Sequence, residues 1–415
     1  MLRPSICLLD NGERARPYGL LLFVLFLLVA APAFLSSFPF VRAQTAQKER
    51  LPKPRELDKG IKWQRNPVTG ELSLISAAAE QNEEAAVPPV ARGIITRVQL
   101  VPVTCSVFAE DGTSLQGLGR ENFRVYDDGV QRDVIFFSAP SQGPSAVALV
   151  IDASPSVLRD SEQMRGAASA LLEALAPPDE IAIVDFSAHT YLQLPLSSDR
   201  ELLHRALGRV DVRALLGDTG GSNIYAAVDL TAREVFARRH YARNAIVLFT
   251  DGQDSGLGLT LDPASALPQA GISADRLTFD DVAKTLAAAD IQVFAISTEN
   301  RPKVMTPEWL AAHKDTTLIT RDARKLKIPP YTLYLAELAR RSGGQLYFLR
   351  EAQSLADTFR RIAERVTGEY WVGFIPGSTA NELPHAGWHS LRVEVVGHPG
   401  AIAVHRTAYY VAATR

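Results

Sequence analysis

The chain is 415 residues long, 47% hydrophobic and 22% charged, with a formal net charge of −2. That length holds two or three domains with sizeable cores, and the near-balanced charge excludes the basic footprint of a nucleic-acid binder. Cys7 and Cys105 are the whole cysteine complement, which excludes a disulfide framework as well.

Residues 1–43 read as an export signal. Arg3, Arg14 and Arg16 precede the apolar run Leu20–Leu35, and Val41-Arg42-Ala43 offers small residues at −3 and −1 of a cleavage site. An uncleaved membrane anchor is the alternative, because the run approaches the ~18–20 residues that span a bilayer. Pro32, Ser36 and Ser37 shorten it. Either outcome exports the rest of the chain to a periplasmic, envelope or secreted location and limits membrane contact to that anchor. Cys7 lies ahead of the apolar core, whereas a lipoprotein cysteine would follow it. Residues 1–43 carry four Arg against Asp10 and Glu13, so the mature chain stands near −4.

Residues 44–90 are polar, with a Glu/Ala/Pro-rich end, and read as a largely disordered linker. Within them Ile61–Arg65 and Glu71–Ile75 flank a turn sequence and are expected to form a small hairpin. In residues 91–143, strands from Ile94 to Phe137 alternate with the turn signals Asp111-Gly112 and Asp128-Gly129, the pattern of antiparallel β structure.

Residues 144–366 alternate strand and helix patterns, which predicts a doubly wound α/β fold with a mostly parallel six-stranded sheet. The expected strands are Val147–Ile151, Glu180–Phe186, Thr190–Leu194, Asn244–Phe249, Ile291–Ser297 and Gln345–Leu349. Helices are expected over 161–176, 200–209, 224–239, 278–289, 331–341 and 351–366, and Gly343 suits the residue just past a helix end. Thr190–Leu194 follows its predecessor too closely for a crossover, so it is expected as an antiparallel edge strand. Residues 298–330 are long for a connection and read as a surface excursion and candidate partner site. Residues 367–415 read as strands again. The two flanks are expected to complete one small β-sandwich, with Cys105, Trp371, Phe374 and Trp388 in its core.

The chemistry-bearing residues gather where the parallel strands end. Ala146–Ile151 is followed by Asp152-Ala153-Ser154-Pro155-Ser156, a carboxylate and two hydroxyls at alternate positions. Asn244–Phe249 ends in Thr250-Asp251-Gly252, and Gly220-Gly221-Ser222 leads into a helix between the two strands. In an open α/β sheet the carboxyl edge is where ligands bind. Short oxygen donors converging there suit a hard cation such as Mg²⁺. A serine- and aspartate-rich loop capping the next helix is the plainer alternative.

Together Asp152, Ser154, Ser156, Ser222 and Asp251 resemble the metal-ion-dependent adhesion site of von Willebrand factor A-type domains. That family's pattern is D-x-S-x-S, a Thr in a G-G-T-like turn, then an Asp in a T-D-G-like strand end; Ser222 stands here for the Thr. The flanks, including Val101–Val107, Leu118–Gly129, Gly368–Phe374 and Gly387–Val395, look like a bacterial family of exported A-type proteins first noticed in Acidobacteria. The resemblance implies that Ser154, Ser156 and Ser222 touch Mg²⁺, with Mn²⁺ or Ca²⁺ as substitutes. It implies that Asp152 and Asp251 act mainly through water, and that an acidic side chain of a protein partner completes the shell.

Other signals carry less. Gly217–Ser222 has Thr219 where a protease nucleophile would stand, and no His lies in a suitable β-barrel context. The eight histidines lack H-E-x-x-H and read as scattered, against a zinc enzyme. Asp127-Asp128-Gly129 fits a hairpin turn better than a calcium loop, and Asp254 reads as a supporting or solvated carboxylate. No nucleophile, general base or cofactor cradle accompanies the site. The expected function is therefore non-enzymatic, adhesion-type protein binding. An envelope scaffold with a structural metal and a Mg²⁺-dependent hydrolase are the alternatives.

Overall fold

A computed structural model of the chain describes residues 50–67, 70–76, 100–140, 144–175, 177–216, 221–236, 243–257, 276–313, 317–319, 327–349, 355–377 and 385–411. The expected signal at 1–43 lies outside the described residues. Among them, no helix is long and apolar enough to cross a membrane.

The first elements are β1 (Arg55–Glu56), β2 (Ile61–Arg65) and β3 (Leu72–Ser76). β2 and β3 pair as the expected hairpin. The reading of 44–90 as linker is corrected for its described part. β1 pairs with the strand at Thr190–Ser197, and Leu57 is buried in the core. Arg65 fastens the hairpin with two bonds to the Asp281 carboxylate, at 3.0 and 2.7 Å. Polar composition hides this docking, because a few apolar residues (Leu57, Ile61, Trp63, Leu74) carry the packing.

The first flank supplies β4 (Val101–Phe108), β5 (Phe123–Asp127), β6 (Val130–Arg132) and β7 (Phe136–Ser138). The central region follows as β8 (Ala146–Asp152), α1 (Ser161–Ala174), β9 (Glu180–Phe186), β10 (Thr190–Ser197), α2 (Arg200–Leu216), α3 (Ile224–Glu234) and β11 (Asn244–Thr250). It continues with α4 (Phe279–Ala288), β12 (Ile291–Ser297), α5 (Pro307–Ala312), α6 (Pro330–Ser342), β13 (Gln345–Phe348) and α7 (Leu355–Thr367).

These strands make a seven-stranded sheet in the order β1-β10-β9-β8-β11-β12-β13, in which β10 runs against the other six and pairs antiparallel with both β9 and β1. All six expected strands are present. The seventh, β1, takes the edge that sequence patterning gave to Thr190–Leu194. Strand β8 shows why the sheet is covered on both sides. Ala146, Ala148 and Val150 pack with Val228 of α3, Leu286 of α4 and Leu335 of α6. Val147, Leu149 and Ile151 pack with Leu171 of α1, Leu203 of α2 and Phe359 of α7. Alternate residues of a strand face opposite sides, so a strand buried on both faces is apolar throughout. Gly343 ends α6 at φ 86°, as expected. The 298–330 region is less superficial than its composition implies, since Met305, Leu318 and Ile328 are buried against Leu333 and Ala336 of α6.

The second flank gives β14 (Tyr370–Phe374), β15 (Gly387–Val395), β16 (Ile402–His405) and β17 (Ala408–Val411). The flanks interleave as two four-stranded sheets, β16-β4-β14-β7 and β17-β15-β5-β6. Val103, Cys105, Phe123, Val125, Tyr370, Phe374, Val393 and Tyr409 share the core between them. The chain leaves through β7 and returns through its neighbour β14, where Trp371 pairs with Ser138. Two expected core aromatics lie elsewhere. Trp371 is half-buried beside Phe136, and Trp388 donates its indole N–H to Asp280 of α4 at 2.7 Å. An indole has one polar edge, and here that edge has found a carboxylate on the neighbouring domain.

Candidate metal centre at the sheet's carboxyl edge

Parallel pairing of β8 with β11 sets Ile151 opposite Phe249, so both strands run out together and deliver Asp152, Thr250 and Asp251 to one edge. Asp152, Ser154, Ser222 and Asp251 are buried, and Ser156 is exposed. The D-x-S-x-S segment turns back on its own carboxylate. The Ser154 backbone N–H donates to Asp152 Oδ1 at 2.9 Å, and the Ser154 and Ser156 hydroxyls lie 3.0 Å apart. From the α3 side, Ser222 Oγ donates to Asp152 Oδ2 at 3.2 Å. The Ser156 hydroxyl lies by the Asp251 carboxylate and helps hold its pKa down. All five residues singled out in the sequence therefore meet in one connected cluster.

Burial pushes the Asp152 carboxyl up to about 6, and the nearby charge of Asp251 adds to the rise. Asp251 is raised too, mainly by burial. The donors that the structure gives these two acids are hydroxyls, backbone N–H groups and the Gln253 amide. Two buried carboxylates answered only by neutral donors are an arrangement that a cation completes. An all-oxygen donor set suits a hard cation.

Three further residues, Thr250, Asp254 and Ser255, support the cluster. Thr250 Oγ1 donates to Asp152 Oδ2 at 2.7 Å while accepting the Gly252 N–H at 3.0 Å, so it fixes the carboxylate from the neighbouring strand. Asp254 is buried and accepts N–H groups at the start of α3, among them Tyr225 at 3.4 Å, as well as that of Leu257. It serves as the anionic cap of that helix, which frees Ser222 for Asp152. Ser255 holds Ser222 from both sides, its Oγ accepting the Ser222 N–H at 3.1 Å and its own N–H reaching the Ser222 carbonyl at 2.7 Å. Gly221, at φ 92°, leaves no room for a Cβ, which would stand 2.5 Å from Ser255 Oγ.

Residues 147–253 match the von Willebrand factor type A domain family. No curated protein sequence matches the chain. Among solved structures it is similar to an aerotolerance-related membrane protein from Bacteroides fragilis, with 20% identity over 54% of this chain and 98% of that one and a TM-score of 0.37. It is also similar to the von Willebrand factor domain of the type V pilus tip protein Mfa5 from Porphyromonas gingivalis. There the identity is 11%, over 54% of this chain and 95% of that one, with a TM-score of 0.35. A von Willebrand factor type A protein from Catenulispora acidiphila shares 12% identity over 75% of this chain and 73% of that one, with a TM-score of 0.33. On the match over 147–253, and on a mostly parallel sheet layered between helices, the chain carries a von Willebrand factor type A domain.

Proposed function

We propose that this chain is an exported, non-enzymatic binding protein that captures an acidic side chain of a partner protein through a divalent cation. Ser154, Ser156 and Ser222 would hold the ion directly, with Asp152 and Asp251 behind them. Mg²⁺ fits an all-oxygen donor set, and Mn²⁺ and Ca²⁺ are its nearest substitutes. When bound, the cation supplies a positive centre for a carboxylate oxygen.

The observation that carries this reading is the linked set of three hydroxyls and two buried carboxylates from three separate loops. Hydroxyl ligands are neutral, so they leave the ion's charge for an anionic partner. Asp152 orients Ser222, and Ser154 holds Ser156 beside Asp251. Ser156 is exposed, which gives a partner an approach from solvent. Export is proposed from the sequence of residues 1–43.

The test is partner capture from envelope extract with Mg²⁺ or with EDTA, alongside a fold probe such as circular dichroism. The reading expects capture to vanish in EDTA while the fold persists. A scaffold with a structural metal would instead lose its fold. Turnover of a substrate by the purified protein would count for the hydrolase.

A further inference from the structure

A second cluster lies in the β-sandwich, on the hairpin turn between β5 and β6 and the start of β15. His389 is buried, with 3% of its side chain exposed, and its ring is held between two others. Tyr409 stacks on it at 5.0 Å and 16°, and His385 lies 4.2 Å away at 44°. Its Nε2 meets the His385 carbonyl at 2.8 Å and its Nδ1 meets Asp128 Oδ2 at 2.8 Å. Both of those neighbours are acceptors. An imidazole that gives its one N–H to the carbonyl turns a bare Nδ1 lone pair toward a carboxylate, so a positive centre must stand between them. A proton is one such centre and a metal ion is the other.

The third ligand is already in place. One ligand atom from each of Asp128, His385 and His389 lies within 4.8 Å of the other two. We infer that Asp128, His385 and His389 form a divalent transition-metal site of the zinc class, separate from the oxygen-only cluster at Asp152 and independent of the function proposed for it. Two imidazoles and a carboxylate are ligands that Zn²⁺ takes and Mg²⁺ does not favour. The bond from His389 Nε2 to a backbone carbonyl fixes a ligating imidazole in its tautomer, as outer partners of metal-bound histidines do.

Ligand atoms around a tetrahedral zinc stand roughly 3.3 Å apart, given bonds of about 2.0 Å. The 2.8 Å pair must therefore open by about half an ångström, which the exposed Asp128 and His385 permit. Asp127 Oδ1 lies 3.8 Å from His389 Nδ1 but is already engaged. Its carboxylate already accepts from Tyr409 OH at 2.8 Å and pairs with Arg132 at 3.0 Å. Asp128 Oδ1 is held by the Ser390 N–H at 2.8 Å, leaving Oδ2 for the ion. With three protein ligands, the remaining position falls to water or to a group from outside. A bound ion would be held by the Nδ1 lone pair of His389, while its Nε2 N–H stays on the His385 carbonyl.

The test is titration of the full-length protein with Zn²⁺, and with Co²⁺ as a visible probe, in millimolar Mg²⁺. We expect one zinc per chain held in excess Mg²⁺ and the strong visible bands of low-coordinate Co²⁺. His385→Ala, at an exposed position, and Asp128→Asn, which keeps the Ser390 bond and tolerates the φ of 48° there, should each weaken zinc at least ~10-fold. Asp152→Asn should leave it unchanged. Zinc affinity indifferent to both His385→Ala and Asp128→Asn, or lost in Asp152→Asn alone, would overturn the site. The second result would leave the Asp152 cluster standing as a metal centre in its own right.

Discussion

Ser222 and Asp152, seventy residues apart in sequence, are joined by a hydroxyl-to-carboxylate bond of 3.2 Å. This bond argues against Ser222 being only the cap of α3. A helix-capping serine spends its oxygen on backbone N–H groups of the first turn. Here Asn223 is the residue at the α3 cap, Asp254 takes the backbone N–H groups, and the Ser222 hydroxyl points to the cluster. Ser222→Ala should accordingly lower Mg²⁺ affinity roughly tenfold and cost about 1 kcal/mol of stability through the lost buried bond. Ser222→Thr keeps the oxygen with a more restricted side chain and should preserve or tighten binding. Calorimetric titration with Mg²⁺ and urea unfolding of the three proteins check both expectations.

Asp152→Asn should separate metal binding from folding. The amide keeps the shape and an acceptor for the Ser154 N–H, but removes the charge. Mg²⁺ affinity should fall by at least ~10-fold. In metal-free buffer at neutral pH the variant should be as stable as the parent or more so, because the repulsion from Asp251 is gone. Unchanged Mg²⁺ affinity would remove Asp152 from the site.

The cluster should also make metal-free stability depend on pH in a particular sense. Asp152 rises from an ordinary value of 3.8 to about 6, and burial raises Asp251 in the same direction. Between these pH values the folded protein keeps a proton that the unfolded chain has released. Stability without metal is therefore full below about 3.8 and falls as pH climbs through 6, by on the order of 3 kcal/mol for Asp152. Mg²⁺ prefers the ionised acid, so its affinity should climb over the same window. Urea midpoints from pH 4 to 7.5, with EDTA and with Mg²⁺, should diverge steadily as pH rises.

The parts legible in the sequence are those whose pattern is local. β8 and β11 are apolar over Ala146–Ile151 and Ala245–Phe249 because both faces are buried, and their ends fix where Asp152 and Asp251 stand. The parts that escaped depend on partners distant in sequence. β1 is two residues long, too short to show a period, and its register comes from pairing with Tyr191 and Leu192. His385 and His389 read as scattered because their third companion, Asp128, lies 261 residues from His389. Thr250 stands in the Thr-Asp-Gly strand end, but its role shows only once the neighbouring strand brings Asp152 beside it. Trp388 counts as core by hydrophobicity alone, yet its N–H finds Asp280.

Glu369 marks the seam between the two domains, just before β14. Burial lifts its carboxyl to about 8, with Asp290 adding to the rise and Arg243 and Arg365 opposing it. Its Oε1 accepts the side-chain amide of Gln292 on β12. The folded protein thus favours the protonated acid at neutral pH, and its contribution to stability is full below about 4.5 and lost as pH rises through 8. Glu369→Gln mimics the protonated form and still offers Gln292 an acceptor. It should be neutral or stabilising at pH 8 and should flatten the decline in stability between pH 6 and 9. Glu369→Ala should destabilise by about 2–4 kcal/mol, since it opens a cavity and leaves the buried Gln292 amide without its acceptor. Thermal unfolding of the three proteins across that pH range checks the order. A glutamine variant less stable than the parent at pH 8 would mean that the ionised carboxylate holds the seam.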